Sequence, residues 1–158
     1  MSLHVYGALF ALLYGTAAAQ QPAPLDALLQ PEQQSLDALY KHLHANPELS
    51  YHEKETAARL ADELTKAGFT VTTGVGGHGI VGVMKNGPGK TVLVRTDLDA
   101  LPVTEKTNLP YASKIRTKDE QGNDVGVMHA CGHDVHMTAF VGTARLLAKL
   151  KNQWRLPW

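Results

Sequence analysis

A single cysteine in 158 residues excludes an intramolecular disulfide, so packing and hydrogen bonds must hold whatever fold this chain adopts. Net charge is missing too. Fifteen Lys and Arg balance fifteen Asp and Glu, and no Lys/Arg block stands out. That excludes the strong basic field that recruits nucleic acid or an anionic membrane surface. No internal repeat and no low-complexity tract occurs, and the hydrophobic content of 44% is that of a globular domain. No apolar run reaches the roughly twenty residues that a membrane span needs.

The nearest approach to such a run is Val5 to Ala19, apolar apart from Tyr6, Tyr14 and Thr16, and closing in Ala17-Ala18-Ala19 before Gln20-Gln21-Pro22. A short apolar core followed by small residues predicts a secretory signal peptide over residues 1–19, cut after Ala19. The mature chain is then expected to be secreted or periplasmic, with no membrane attachment after cleavage. No Lys or Arg precedes the core, so an uncleaved anchor or a retained buried segment is the alternative. In an oxidising compartment a leftover cysteine is reactive or ligating, and coordination would protect it.

Residues 20–31 read as a leader joining the signal to the fold, because Pro22 and Pro24 fall within it. From Glu32, Leu36, Leu39, Tyr40 and Leu43 keep helical spacing, and Asn46-Pro47 should end that helix. A second helix is predicted from Glu53 to Ala67 with Gly68 as its C-terminal cap. Strands are predicted at Phe69–Thr73 and Gly79–Met84, and Gly74, Gly76 and Gly77 between them read as a turn, not as a phosphate loop. Asn86-Gly87-Pro88-Gly89 is turn chemistry. Thr91-Val92-Leu93-Val94 is apolar on both faces and suits a central strand of a covered sheet. Tyr111 to Asn123 reads as a loop or hairpin, and Gly122 to Gly126 as a turn. From Val135 to about Leu150, Met137, Phe140, Val141, Ala144, Leu147 and Ala148 make an apolar helical stripe. This order predicts an α/β fold with helices on both faces of a mixed, mostly parallel sheet.

Two motifs carry chemistry. Met128-His129-Ala130-Cys131-Gly132-His133-Asp134-Val135-His136 puts the only cysteine and three of the eight histidines at the mouth of a helix. Thiolate and imidazole donors at that density point to a transition-metal site. The alternative is a buried free thiol beside chance histidines. Arg95-Thr96-Asp97-Leu98-Asp99-Ala100-Leu101-Pro102 follows the predicted central strand, and ligands in α/β sheets bind beyond strand ends. An Asp there can accept an imidazole N–H and fix a metal-bound histidine; a turn or helix-cap role is the alternative for Asp97 and Asp99. His129 is read as structural, His136 as either touching substrate or starting the helix, and His42, His44, His52 and His78 as surface residues.

Taken together, Arg95 to Pro102 and Met128 to Asp134, with Asn46-Pro47-Glu48-Leu49-Ser50 ahead of Glu53 and Thr56, resemble the amidohydrolase branch of the aminoacylase/carboxypeptidase metallohydrolases. That branch includes hippurate hydrolases and hydrolases of indole-acetyl amino-acid conjugates. The resemblance spans Leu36 to Leu150. It implies a zinc-peptidase-like catalytic domain, incomplete here, over residues 32–150. It also implies a dinuclear Mn²⁺ or Zn²⁺ site, a small-molecule N-acyl amino acid or peptide substrate, Cys131 and His133 as metal ligands, and Asp97 as the carboxylate positioning the site. Arg95 stands where the wider superfamily has a ligating His, and a guanidinium cannot coordinate. Thiolate and neutral imidazole ligate only when deprotonated, so metal affinity is expected to fall in acid.

The resemblance further implies a Glu-Glu pair supplying the general base, later His ligands and a second domain, none of which occurs in the 158 residues. Residues 151–158 form an atypical tail, of which Arg155 to Trp158 depart from the family pattern. The expectation is therefore the N-terminal part of a metal-dependent amidohydrolase, inactive and poorly folded alone. A non-catalytic metal-binding or interaction fragment is the alternative.

Overall fold

Helical stripes organise the chain, and the computed structural model describes residues 25–154. The stretch read as a signal peptide, and residues 155–158 of the tail, lie outside the described residues. A short helix α1 (Leu25–Leu29), within the span read as a leader, runs through a 3-10 turn at Gln30–Glu32 into α2 (Gln33–Ala45). Pro31 sits in the first positions of that turn, where its missing N–H costs nothing. α2 stops at Asn46, ahead of Pro47 as expected.

α3 (Lys54–Lys66) has no side-chain cap from its own N-cap residue Glu53. Glu48 supplies it from outside. The Glu48 carboxylate accepts the Glu55 and Thr56 backbone N–H at 3.1 and 2.7 Å, satisfying orphan donors and placing negative charge at the positive end of the helix dipole. The segment after α3 turns back as the antiparallel hairpin β1 (Thr70–Val75) and β2 (Gly79–Val83). A second small hairpin pairs β3 (Arg116–Lys118) with β4 (Asp124–Gly126), so part of Gly122 to Gly126 is a strand where a turn was expected. α4 (His133–Lys149) begins two residues before the expected Val135.

α2, α3 and α4 meet around Leu39, Leu43, Leu60, Met137 and Val141, with Leu36, Ile80, Leu98 and Phe140 packed against that cluster. Full burial of such side chains contributes about 1.5–3 kcal/mol each before conformational entropy is counted. Arg145 on α4 adds a polar clamp, donating to Glu32 at 2.9 Å and to Glu63 at 2.6 Å, so one guanidinium ties the entry of α2 to α3. Glu63 also takes Arg59, and Lys149 pairs with Glu32.

The expected mostly parallel sheet is not what the described residues form. Their strands make two two-stranded antiparallel sheets, and Thr91 to Val94 is not a strand. Val92, Leu93 and Val94 are 68%, 86% and 52% exposed. The residue types suit a covered strand, but no segment among the described residues runs alongside to accept their backbone hydrogen bonds, and a ladder needs a neighbour. The parallel element that does exist is a single bridge, Leu49 to Ala100. Among the described residues no helix is long and apolar enough to cross a membrane.

Candidate metal centre

Three sequence motifs converge at one place. Ala100 N–H donates to the Glu48 carbonyl at 2.7 Å, and Leu101 exchanges two 3.0 Å backbone hydrogen bonds with Met128. The chain from Arg95 to Pro102 is thereby stitched between Asn46–Ser50 on one side and the start of Met128–Asp134 on the other. Within it Leu98 packs against the hydrophobic core and so fixes the two acidic residues that flank it.

The turn carrying the donors is shaped by Gly132, whose φ of +82° lies in the left-handed region, at the N-cap of α4. An L-residue there would be strained by about 1–2 kcal/mol. This geometry lets Cys131 leave the turn exposed while His133 starts the helix partly buried. The thiol is therefore not the buried, inert cysteine of the alternative reading.

His133 is held by a neighbour. Its Nδ1 lies 2.8 Å from the Asp99 carbonyl oxygen and 3.1 Å from Asp99 Oδ1. A carbonyl oxygen can only accept, so Nδ1 carries the proton, and in the neutral ring Nε2 is left as the basic nitrogen. Asp99 is itself held: Ser50 Oγ donates to Asp99 Oδ2 at 2.6 Å. Burial alone would raise the Asp99 pKa; the hydrogen bonds from Ser50 and its own backbone, with the nearby His133, outweigh it and hold the carboxyl below its usual range.

Asp97, expected as the orienting carboxylate, is placed differently. It is about half exposed, and its Oδ1 accepts from the Arg95 guanidinium at 2.5 Å. The carboxylate that reaches His133 is the next acidic residue along. The sequence offers both carboxylates as Asp-Leu-Asp, and it is the backbone pairing at Ala100 and Leu101, next to Asp99, that accompanies the choice of the second for the histidine.

His129 is buried at 5% exposure, and neither ring nitrogen has a hydrogen-bond partner among the described residues. Burial pushes its pKa down; the charge of Asp134 opposes that, and the neighbouring His133 and His44 reinforce it. Its backbone carbonyl accepts from Gly132 at 3.3 Å, which is a structural contribution to the turn. His136 is exposed, and its ring centroid lies 6.0 Å from that of His133.

His44 corrects the expectation that the four earlier histidines lie on the surface. His42 and His52 are exposed and His78 is half-buried, but His44 is 5% exposed. Its Nδ1 lies 2.7 Å from Asp134 Oδ2 and its Nε2 3.0 Å from Glu105 Oε1. Tyr40 and Tyr111 close around the ring, with centroids 5.7 and 5.4 Å away. Glu105 also accepts from the Ser113 N–H at 2.5 Å and from the Thr107 hydroxyl. Burial would lower the His44 pKa, but the hydrogen bonds and charges of Glu105 and Asp134 prevail and raise it. Sequence reasoning missed this network although the helical stripe Leu36, Tyr40, Leu43 runs directly to position 44.

Among the described residues no group of three His, Cys, Asp or Glu side chains is arranged to hold a metal ion. What they do present is an exposed thiol and an oriented imidazole two residues apart, on one rigid turn.

Comparison with known proteins shows which class of hydrolases this chain resembles. Residues 93–157 match the model of "Peptidase family M20/M25/M40". Among characterised relatives, thermostable carboxypeptidase 2 of Saccharolobus solfataricus is 45% identical over 114 residues, covering 71% of this chain and 27% of that protein. Hippurate hydrolase of Campylobacter jejuni is 41% identical over 117 residues, covering 73% and 28%. The crystal structure of a dinuclear metal-binding peptidase of the M20 family from Bacillus subtilis superposes with a TM-score of 0.67 at 33% identity, covering 77% of this chain and 32% of that one. Over residues 93–157 the chain thus carries the pattern of the M20/M25/M40 peptidases, and the relatives it resembles include amidohydrolases. It spans under a third of the length of the relatives it matches.

Proposed function

We propose that this chain is the N-terminal part of a metal-dependent amidohydrolase that cleaves the amide bond of N-acyl amino acids or small peptides, and that it is exported. The observation that carries the reading is the state of His133. Its Nδ1 is committed to Asp99, which leaves Nε2 as the nitrogen for a metal beside the exposed thiol of Cys131. The names of the relatives support the substrate class, since one is a hippurate hydrolase and another an N-acetyl-L-cysteine deacetylase.

The residues present fit a divalent metal as donors: a thiolate, an imidazole of fixed tautomer, and acidic groups to orient them. Cys131 and His133 would ligate a pair of ions, Mn²⁺ or Zn²⁺. Asp99 holds His133 in place, and Asp97, the carboxylate that the resemblance implies for that role, is tethered by Arg95. When bound, such ions lower the pKa of a water and polarise the scissile carbonyl. The contribution of this chain is to fix two donors on a glycine-shaped turn whose far side is buried.

Zinc binding by the purified chain, followed by equilibrium dialysis near neutral pH, tests the assignment. Cys131→Ser and His133→Ala are each expected to weaken binding at least about tenfold, as loss of a ligand should. Unchanged affinity in both variants, with the fold intact by far-UV circular dichroism, would rule the ligand assignment out. Hydrolysis of hippurate by a form of the protein that supplies a general base is expected to fall with the metal.

A further inference from the structure

We infer that His44 is a positioning residue for the metal-binding turn, acting through Asp134 to fix His133 and Cys131, an inference that rests on the ligand assignment above. Asp134 follows His133 directly and is 2% exposed. One of its oxygens accepts the Val135 N–H at 2.9 Å, and the other faces His44 Nδ1 at 2.7 Å. The side chain is thus pinned at both oxygens, once by its own helix and once by α2. His44 is pinned at both nitrogens, and the Glu105 carboxylate on its far side is fully buried.

Carboxylate oxygens can only accept when ionised, so a ring between two of them must donate from both nitrogens. The arrangement has one orientation. Turning the ring over or shifting it by a fraction of an ångström breaks one bond and leaves a buried carboxylate unpaired, which is costly. Tyr40, tilted at 47°, and Tyr111, edge-on at 79°, pack against the ring and restrict its remaining freedom. α2, the segment from Glu105 to Ser113, and the start of α4 are therefore locked to one another at the residue beside a ligand. Gly132 by itself would leave that turn free to move, because glycine has no side chain to hold it. The buried anchor supplies what the glycine gives up.

Cobalt(II) is a suitable probe, because thiolate coordination gives it a near-ultraviolet charge-transfer band that reports the Cys131 bond directly. His44→Gln, which can serve only one carboxylate, is expected to weaken cobalt binding about tenfold and to diminish that band, the range seen for partners of metal ligands. Glu105→Gln lies on the far side of the ring and leaves the His44–Asp134 contact in place. It is expected to change cobalt affinity less than threefold even where it lowers the melting temperature. A general support role would make metal loss track stability in both variants, and that pattern would overturn the inference. If His44→Gln does not fold, Asp134→Asn keeps the acceptor for Val135 and takes its place: a tenfold loss supports the inference, and parent-like binding overturns it. Cobalt binding that ignores Cys131→Ser overturns the ligand assignment and this inference with it. Binding that needs Cys131 but ignores His44→Gln overturns this inference alone.

Discussion

The two sides of the candidate site are built in opposite ways. On one side the donor turn sits at the head of α4, a helix whose Met137 and Val141 are fully buried and whose first residues are anchored by the His44 network. On the other, Asp97 and Asp99 come at the end of an arm that leaves Val92 to Val94 in solvent. The arm is tethered where it starts, by Asn86 donating to the Lys151 carbonyl at 2.7 Å, and where it ends, by Leu98 packed against the core and the bridges at Ala100 and Leu101. The carboxylates stand where a loose segment becomes a fixed one. A metal site needs donors held to a fraction of an ångström, and here the tight side carries the proposed donors Cys131 and His133 while the arm brings Asp99 to His133.

If the helical side is the rigid one, truncating it should be the most damaging change. Met137→Ala removes a fully buried side chain between α2, α3 and α4 and is expected to cost about 3 kcal/mol, with a lower urea midpoint and an unchanged slope. A cost below about 1 kcal/mol would mean that the three helices do not share one core.

His44 gives the same side a pH signature. Its folded pKa is raised above the ordinary 6.5, so its contribution is complete below that value and is lost as pH rises through the folded pKa. Glu105 works in the other direction. Burial would raise its pKa, but the bonds from Thr107 and His44 lower it, so its contribution is present above the ordinary 4.5 and is lost as pH falls through the folded value. Unfolding free energy of the parent should therefore decline on both sides of a plateau between the two ordinary values. In His44→Gln the alkaline decline should vanish, and a decline of parent size in that variant would remove His44 as its source. At the α2–α3–α4 clamp, Arg145→Met should cost about 2 kcal/mol, because it strips a partner from Glu63, 5% exposed, and from Glu32. Denaturant melts at moderate salt would check this, since a surface pair of negligible worth would show no change.

The contrast between the two sides also explains what could be read in the sequence. Helix periodicity is a local signal, and α2, α3 and α4 begin and end within one or two residues of where their stripes, Pro47 and Gly68 put them. Residue type alone puts His44 on the surface, whereas its position on the Tyr40–Leu43 stripe carries it into the interior. The arm was misread for a different reason. Thr91 to Val94 has the composition of a central strand, but strand formation depends on a neighbour that composition does not report. The convergence of Asn46–Ser50, Arg95–Pro102 and Met128–Asp134 was legible as motifs belonging to one family pattern. Which carboxylate meets His133 was not, because that depends on tertiary pairing at Ala100 and Leu101, which no local pattern reports.

The smallest expected effect is the sharpest test of the arm. Leu93 is 86% exposed, so in this chain Leu93→Ser removes almost no buried area and should shift stability by less than about 0.5 kcal/mol. A side chain of the same type at Leu60, fully buried, should cost several times that when truncated to Ala. The two substitutions compare one residue type on the two sides of the site. If Leu93→Ser is instead destabilising by more than about 1 kcal/mol in a denaturant melt, the arm is covered in solution and belongs to the packed structure. Asp97 and Asp99 would then be held from both directions, and the division between a rigid donor turn and a tethered acidic arm would fall.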